Sequence, residues 1–330
     1  MSLSKTTAFK LLDLPYVSLR KVFRKFRVQD ILTLSASSLS VSRLLQLSNL
    51  NPTSLRIVCN PEYTVITTNK ESDGHIYVQN EGIQVLALPS PSMFEQVIGD
   101  HAVSVEKSAI FDVPITAITT SDHLSTTSAL VALLRSYLGV SIQQLRIENF
   151  NYQSFAEFLD WPLISVAESI EIEGEEVEDV HLPVLLRQFG AHQTVSLQFR
   201  CFDVLAVESA LKIEKLTIKE HCWFTRELLL ATNFSYLEAE CSLLTGLDIN
   251  AFVRQYINEP GHDLKYLKMR IMNVDGLFDG LPGTRQHMNQ KVLMSDGETV
   301  HIFSLLEVIA EDGVKISIAM GTEKMIYVFV

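Results

Sequence analysis

Residues whose types could support catalysis or ion binding occur at three places in the chain. A histidine and a cysteine are adjacent at His221-Cys222, directly after an alternating apolar-polar pattern, and such a pair could form an activated thiolate nucleophile. An acidic run with the oxygen ligands that cations prefer contains Glu173, Glu175, Glu176, Glu178 and Asp179. A glycine-rich segment that could bind a phosphate contains Gly276, Gly280, Pro282 and Gly283.

None of the three segments has the partners that its chemistry requires. No partner carboxylate for the His–Cys pair is identifiable from the sequence, so we interpret the pair as loop packing. The acidic run lacks the spaced Asp, Asn and Gly ligands of a calcium loop, which favours a solvated face leading into a helix. We interpret the glycines as a loop before C-terminal strands, and none of the common phosphate, nucleophile, zinc or dinucleotide motifs occurs.

The sequence therefore predicts a chain that is not an enzyme, with no catalytic residue, no metal and no cofactor. An enzyme with a dispersed active site remains as an alternative. That alternative would require a pocket in which carboxylates or histidines with perturbed pKa values converge.

Composition narrows the class of partner. The chain has 330 residues, is 47% hydrophobic and has a net charge of −12, which argues against nucleic acid or anionic lipid as its partner. The longest apolar run, Ala129–Leu134, is far short of a membrane span, and the N-terminus has no apolar signal-peptide core. We expect no membrane association and a cytoplasmic or nuclear location. The four scattered cysteines are then typical of buried thiols.

The charge is distributed unevenly along the chain. Residues 1–50 have a net charge of +6, because they contain eight Lys or Arg and two Asp, and the remainder has −18. A basic N-terminal segment on an acidic body predicts an acidic docking partner for that segment.

The basic segment has the spacing of short amphipathic helices. Pro15 suits the first turn of a helix, and Leu19, Val22, Phe23 and Phe26 then fall on one apolar stripe. Helices this short need a further surface to bury their apolar side chains. One interpretation is a docking face for another protein, whose residues stay exposed in the isolated chain. The other is a helical cap on the rest of the chain.

These residues resemble an F-box, the motif by which substrate receptors dock on the Skp-type adaptor of cullin ubiquitin ligases. The resemblance rests on Leu14-Pro15, Leu19, Val22, Phe26, Asp30-Ile31, Leu34-Ser35 and Ser38. In place of the proline between the first two F-box helices, this chain has Arg27-Val28-Gln29. The resemblance implies that the adaptor-binding residues are Leu14, Pro15, Leu19, Val22, Phe26, Ile31, Leu34 and Ser35.

The turn residues Asn51-Pro52 predict a domain boundary after the helices. We expect a flexible N-terminus at 1–9, the F-box at 10–50 and one α/β domain at 51–330. Within that domain we expect a β meander at 51–90, strand–helix repeats at 91–275 and C-terminal strands at 276–330.

The meander should consist of four short β-branched runs, which are Leu55–Val58, Tyr63–Thr67, Ile76–Val78 and Ile83–Leu88. Two helices should follow. Helical spacing predicts the first over Met93–Ile98 and the second over Leu124–Leu138, with Ser121-Asp122 available as a cap.

From residue 139 onward an alternating apolar-polar phrase recurs at steps of 25, 25, 21, 21 and 30 residues. The phrases are Leu145-Arg146-Ile147, Ile170-Glu171-Ile172, Val195-Ser196-Leu197, Leu216-Thr217-Ile218, Leu237-Glu238-Ala239 and Leu267-Lys268-Met269. Helix-length segments separate them at Tyr152–Trp161, Val180–Phe189, Val204–Leu211, Thr225–Thr232 and Asp248–Asn258. This spacing predicts a leucine-rich-repeat-like α/β domain whose phrases lie side by side as parallel strands in chain order. An ordinary α/β domain with evenly spaced strands is the alternative.

In such a domain one strand face is buried under helices and the other is open. Leu145, Ile170, Leu216 and Leu267 should be buried. Alternation places the other residues on the open face, and these are Arg146, Glu148, Glu171, Glu173, Gln198, Thr217, Lys219, Glu238, Glu240, Lys268 and Arg270. The predicted substrate-binding residues among them are Glu171, Glu173, Lys219, Glu238, Glu240, Lys268 and Arg270.

Residues 215–273 resemble the type 2 F-box-associated domain of the large nematode F-box family. The hallmark is a strand phrase, a short helix and then YLEAECSLLTGLDINAFVRQYI leading into LKYLKM. Residues 130–150 and the terminal KISIAMGTEKMIYVFV extend the resemblance over most of the chain. It implies the substrate-recognition subunit of a Skp-cullin-F-box ubiquitin ligase, which binds the adaptor, through it a cullin, and an unknown protein substrate. The alternative is a non-catalytic interaction scaffold with no ligase link.

Overall fold

The chain was analysed as a computed structural model. The structure describes residues 15–23, 25–26, 30–31, 34, 43, 45, 54–69, 74–82, 92–110, 113–178, 180–201, 212–219, 224–231, 233–240, 243–258, 264–294, 297–310 and 313–330. The chain divides into two compact units, Met1–Gln144 and Leu145–Val330.

The first unit combines two helices with a mainly antiparallel set of strands. The helices are α1 (Tyr16–Phe23) and α2 (His123–Leu138), and the strands are β1 (Ser54–Cys59), β2 (Tyr63–Thr68), β3 (His75–Asn80), β4 (Ser92–Ile98), β5 (His101–Ile110) and β6 (Val113–Thr120). The strands lie in the order β1-β2-β3-β6-β5-β4. All neighbours are antiparallel except β3 and β6, which are parallel.

The antiparallel arrangement of β1, β2 and β3 confirms the first three runs of the predicted meander. Leu55, Ile57 and Cys59 alternate into the core, as expected for a strand with one buried face. Cys59 and Cys201 are buried, as predicted for the cysteines. The fourth predicted run, Ile83–Leu88, lies outside the described residues.

The predicted helix at Met93–Ile98 is wrong, because this segment is strand β4. It pairs with β5 along its whole length, from Ser92 opposite Lys107 to Ile98 opposite His101. A six-residue helix cannot stabilise itself in isolation, whereas pairing with β5 satisfies the backbone groups of the segment. Tertiary context therefore overrides the weak helical spacing.

Helix α2 confirms the prediction for Leu124–Leu138 and its cap. The Asp122 carboxylate accepts a hydrogen bond of 3.0 Å from the backbone N–H of Ser125. The helix ends at Gly139, whose φ of 62° is the left-handed conformation that glycine adopts without strain. Its buried residues include Leu130 and Leu134.

The second unit alternates strands and helices and then ends in antiparallel strands. The helices are α3 (Tyr152–Phe155), α4 (Pro162–Val166), α5 (His181–Gln188), α6 (Arg226–Ala231) and α7 (Gly246–Asn258). The strands are β7 (Ser141–Phe150), in which the unit boundary falls, β8 (Ala167–Glu176), β9 (Thr194–Arg200), β10 (Lys212–Ile218), β11 (Asn233–Ala239), β12 (Tyr266–Arg270), β13 (Thr284–Leu293), β14 (Thr299–Ile309), β15 (Lys315–Gly321) and β16 (Met325–Phe329).

The order of these strands is β7-β8-β9-β10-β11-β12-β16-β15-β14-β13. The pairs from β8 to β12 are parallel, and the pairs from β12 through β16 to β13 are antiparallel. Leu145, Ile170, Leu216 and Leu267 are all fully buried. The predicted chain order of the six phrases and the burial of these four residues are therefore confirmed.

Helices α5, α6 and α7 confirm three of the predicted crossover segments to within about two residues, the usual uncertainty of helix ends. The predicted helix at Tyr152–Trp161 is instead broken into α3, a 3-10 turn and then α4. Asp160, between the turn and α4, has a φ of 66°, which ends the helical path, and Pro162 starts α4. The segment Val204–Leu211 lies outside the described residues.

The glycine-rich segment forms the predicted loop before the C-terminal strands. The buried side-chain amide of Asn250 on α7 donates to the carbonyl oxygens of Gly276, Leu277 and Asp279 at 3.0–3.1 Å. Gly276 has a φ of 75°, which suits glycine. The two N–H bonds of this amide are therefore shared among three loop carbonyls, and they fix the loop to α7.

Candidate protein-interaction surface

The strand face opposite the buried leucines has polar and charged side chains, as predicted. We call this surface, formed by the outward residues of β7–β12, the strand face. Of the residues predicted for this face, Lys268 is buried, and Lys219, Glu240 and Arg270 are exposed. The half-buried ones are Arg146, Glu148, Glu171, Glu173, Gln198, Thr217 and Glu238. Lys219 and Glu240 lie directly after β10 and β11, and their backbone N–H groups donate to Leu197 and Ile218 on the neighbouring strands.

Strand register brings these side chains into adjacent rows. Glu173 lies opposite Gln198, Thr217 opposite Glu238, and Glu238 opposite Lys268. Paired strands are about 4.8 Å apart, so residues in one row can contact each other or one common ligand. Alternation in the sequence thus correctly predicts which residues share the face.

At one end of the face, two carboxylates share the guanidinium of Arg146. Its Nη2 donates to Glu173 at 2.7 Å, and its Nε forms an ion pair with Glu148 at 3.1 Å. The hydrogen bond to Glu173 raises the pKa of Arg146, burial opposes this, and the charges of Glu148, Glu173 and Glu171 add to the rise. The nearby carboxylates outnumber this cation, so this end of the face is acidic.

At the other end, Lys268 holds two carboxylates from different elements. Its Nζ lies 2.8 Å from Glu238 on β11 and 2.7 Å from Glu298, in the turn between β13 and β14. Burial alone would lower the pKa of Lys268, but the hydrogen bonds to Glu238 and Glu298 outweigh it and raise that pKa. Lys268 therefore stays protonated and is engaged within the chain.

The burial of Lys268 shows that the strand face is not open along its whole length. Its side chain is only 11% exposed, because the β13–β14 turn contributes Glu298 above it. The expectation that Lys268 lies on an open face is wrong, and its role in substrate binding stays a prediction. The sequence could not show this covering, since the turn lies 30 residues downstream.

An apolar cluster accompanies Lys268. Its buried members are Tyr266, Met294, Ile302, Ala319 and Tyr327, and partly buried Tyr236 and Phe329 pack against them. The ring centroids of Tyr266 and Phe329 are 5.8 Å apart, and those of Tyr327 and Phe329 are 6.4 Å apart. We call this group the C-terminal aromatic cluster.

The acidic end of the face has a cavity at the carboxyl ends of β7, β8 and β9. Its volume is about 320 Å³, and its lining is Asn149, Phe150, Asn151, Glu173, Gly174, Glu175 and Gln198. A Cβ on Gly174 would lie 2.5 Å from two carbons of the Phe150 ring, so only glycine allows the ring its position. Amides and carboxylates line the cavity, and they suit a ligand that carries hydrogen-bond donors.

Sequence reasoning did not select Asn149, Asn151 or Glu175 for this site. The available signal was their position immediately after strand phrases, because ligands in open α/β sheets bind at the carboxyl ends of strands. Asn151 also has a structural role, since its side-chain oxygen accepts from the N–H groups of Gln153 and Ser154 at the start of α3.

The N-terminal residues predicted to bind an adaptor are only partly accessible. Pro15 is exposed, while Val22, Phe26 and Leu34 are half-buried. Leu19 and Ile31 are each 2% exposed, so the expectation that they stay exposed in the isolated chain is wrong. Leu14 and Ser35 lie outside the described residues. The assignment of these residues to adaptor binding stays a prediction.

Helix α1 begins directly after Pro15, whose carbonyl oxygen accepts from the N–H groups of Ser18 and Leu19. Leu19 and Phe23 form its buried side, and Phe23 contacts Phe26 at 5.9 Å between ring centroids. Val17 is 67% exposed on the helix, and the sequence-based stripe did not include it.

The segments that suggested catalysis or ion binding do not form a site in the described residues. His221 and Cys222 lie outside those residues. No group of three or more His, Cys, Asp or Glu that could hold a metal ion occurs among the residues described. In the acidic run, Glu178 lies 3.6 Å from His181 at the start of α5. No helix within the described ranges is both long and apolar enough to cross a membrane.

Comparison with known families finds one match. The family described as F-box associated matches residues 210–269, which contain β10, α6, β11, α7 and most of β12. Comparison with curated proteins and with solved structures finds no match. The match supports an F-box-associated domain in the part of the chain that carries Glu238 and Lys268.

Proposed function

We propose that the chain is the substrate-recognition subunit of a Skp-cullin-F-box ubiquitin ligase, acting in the cytoplasm or nucleus. The N-terminal F-box docks on a Skp-type adaptor and through it on a cullin, and the α/β body binds a protein substrate. The chain contributes recognition and no bond-making group.

The observation that carries this proposal is the F-box-associated match at residues 210–269. An F-box-associated domain implies a protein-interaction role in F-box complexes. In this chain the matched segment contributes half-buried Glu238, exposed Glu240 and buried Lys268 to the strand face. The match therefore supports a protein-interaction role for this part of the chain.

The acidic end of the strand face supports the substrate-binding part of the proposal. Exposed Glu175 and half-buried Glu173 line an accessible cavity at this end. Glu240, exposed after β11, adds a carboxylate nearer the other end of the face. A partner segment with Lys or Arg would present donors to these carboxylates and to the amides of Asn149 and Gln198.

The exposed side of α1 supports the adaptor-binding part. Pro15 and Val17 are exposed apolar residues, and Lys21 and Lys25 are exposed cations on the same short segment. Apolar contacts would supply the affinity, while the cations would speed association with an acidic adaptor.

A second candidate is a non-catalytic interaction scaffold, in which the N-terminal helices cap the chain. The burial of Leu19, Phe23 and Ile31 within the chain itself favours it. Burial lowers the pKa of Lys107 on β5, and the charge of Asp30 partly offsets this, so Asp30 is near that strand. N-terminal residues thus already have neighbours within the first unit.

Co-expression with a Skp-type adaptor separates the two functions. The ligase proposal predicts a complex that co-elutes in size-exclusion chromatography. Val17→Asp should weaken it by about tenfold or more, because a buried charge without a partner is unfavourable in an interface. Val180→Asp, at a residue 54% exposed in the second unit, is the matched control and should leave the complex intact.

If wild-type chain and adaptor elute separately while the chain itself is folded, the ligase proposal is wrong and the scaffold remains. If Val17→Asp and Val180→Asp have the same effect, α1 is not the docking element. Recovery of partners from cells with and without proteasome inhibition then tests degradation, since a ligase substrate should accumulate on the receptor only when the proteasome is inhibited.

A further inference from the structure

Strand β13 is the last strand in the strand order of the second unit. It pairs with β14 on one side, and no other described strand lies on its other side. None of its ten residues is buried, and only Met288 and Val292 are even half-buried. At about 3.3 Å per residue the edge is about 33 Å long. Its outer backbone N–H and C=O groups are therefore positioned to pair with an added strand.

The edge is cationic in an acidic protein. β13 contains Arg285, His287 and Lys291 and has no Asp or Glu, whereas the whole chain has a net charge of −12. On β14, His301 lies opposite Lys291. The Arg285 guanidinium is held by a hydrogen bond of 3.1 Å to Ser304 and lies over the Phe278 ring. A strand added here would meet cationic side chains.

A register shift between His287 and Gln290 divides the edge into two runs of four residues. In the second run, 290–293, Val292 packs against the C-terminal aromatic cluster. Lys291 and Leu293 alternate with it and lie on the opposite face, and Leu293 is 71% exposed. This run thus presents a cation, then an apolar side chain, beside accessible backbone.

We propose that residues 290–293 of β13 bind an extended acidic segment of a partner protein by adding it as a strand. Main-chain hydrogen bonds supply most of the affinity, as in other cases of strand addition. A carboxylate of the segment lies beside Lys291, and an apolar side chain covers Leu293. This interaction surface is separate from the strand face and does not depend on adaptor docking.

The same features disfavour a second copy of the chain as the occupant. Pairing two β13 edges would bring two cationic strands together, and like charges across a strand pair are destabilising. A lysine and a bulge on an edge strand also commonly prevent self-association. An acidic strand converts this repulsion into attraction, so the edge selects its partner by charge.

The first test measures fluorescence anisotropy of labelled hexapeptides with the purified full chain. The acidic probe has Glu, Val and Glu at positions 1, 3 and 5 with Thr between them, so that Glu and Val share one strand face as Lys291 and Leu293 do. The basic probe has Lys in place of each Glu. The acidic probe should bind at least about tenfold more tightly at low salt. Lys291→Glu should weaken its binding about tenfold. Arg135→Glu makes the same charge change at an exposed residue of α2 and should leave binding unchanged.

A second test separates strand addition from simple charge attraction. Alternate N–H groups of a strand point to opposite edges, so only one alternate set can donate to β13. N-methylation of one set in the acidic probe should abolish binding, and methylation of the other set should retain it. Equal binding by the two methylated probes would overturn the proposal.

Analytical ultracentrifugation of the chain alone tests whether a second copy of the chain occupies the β13 edge. The proposal predicts a monomer at micromolar concentration, with the same sedimentation coefficient for wild type and Leu293→Asp. A wild-type dimer that Leu293→Asp dissociates would show that a second copy occupies the edge and would overturn the proposal. The melting temperatures of Lys291→Glu and Leu293→Asp should match that of wild type, because Lys291 and Leu293 are exposed.

Discussion

The two ends of the strand face have the same arrangement of charges and differ in their access to water. At each end one cation lies between two carboxylates, with N–O distances of 2.7–3.1 Å. The Arg146 side chain is 39% exposed, whereas that of Lys268 is 11% exposed. The difference arises because both partners of Arg146 are on β7 and β8, while one partner of Lys268 comes from the β13–β14 turn.

This comparison shows that an ion pair can have different roles on one surface. The Arg146 group is the more exposed of the two and leaves its carboxylates accessible to solvent and to a binding partner. The Lys268 group joins the β13–β14 hairpin to the strand face through Glu298, and this end of the face is covered. An exposed pair contributes about 0–1 kcal/mol to folding, whereas breaking a buried pair is far more costly. The following predictions test that distinction.

Lys268→Met should have the largest effect on stability. It leaves Glu238 without its cation beside the C-terminal aromatic cluster. We expect the free energy of unfolding to fall by about 2–4 kcal/mol. This is less than the cost of breaking a fully buried ion pair, because Glu298 is partly exposed. Arg146→Met should lower the free energy of unfolding by at most about 1 kcal/mol. Urea unfolding of the two variants measures both values. Equal losses would remove the distinction between the two ends.

Gly174→Ala should destabilise the acidic end and disrupt its cavity. The new Cβ would meet the Phe150 ring at 2.5 Å, and overpacking of this kind costs about 1–3 kcal/mol. Gly190→Ala is the matched control, because its Cβ would have no neighbour closer than 3.7 Å. Phe150→Leu should partly rescue the first variant in urea unfolding. A neutral Gly174→Ala would show that Phe150 is free to move.

The stability contributed by Lys268 should depend on pH in the alkaline range. Its folded-state pKa is raised above the ordinary value of 10.5, so its contribution is complete below 10.5 and is lost as pH rises through the folded pKa. The difference in unfolding free energy between wild type and Lys268→Met should thus be constant from neutral pH to about 10 and shrink above it.

Arg146 provides the control for this pH dependence. Its pKa is raised from an already high value, so it stays charged over the same range. The difference between wild type and Arg146→Met should therefore not change with pH. A Lys268→Met difference that is equally flat would contradict the assignment of Lys268 as the titrating group.

Glu240→Lys should have the smallest effect on stability and a clear effect on partner binding. From the sequence, Glu238 and Glu240 are equivalent surface positions, but the structure pairs Glu238 with Lys268 and leaves Glu240 exposed. Glu240→Lys should change stability by no more than about 0.5 kcal/mol, whereas Glu238→Lys should destabilise the chain more. Unaltered partner recovery with Glu240→Lys would move the substrate site away from this part of the face.

Much of the second unit is predictable from local pattern. The alternating phrases identify the strands and their buried faces, as Leu216 and Leu267 show, and the crossover helices α5 and α7 follow from 3.6-residue spacing. The failures have different causes. At Met93–Ile98 pairing with β5 decided the backbone, and at Tyr152–Trp161 the left-handed conformation of Asp160 interrupted the helix, and helical spacing reports neither effect.

The sequence by itself determined which side chains share a strand face, because alternation along a strand is a local property of the backbone. It also determined the polarity difference between the basic N-terminal segment and the acidic body. Only the tertiary structure decided that Lys268 is buried and Glu240 exposed. That outcome depends on Glu298 and on the fold of a distant hairpin, and burial is a property of contacts between segments far apart in the chain.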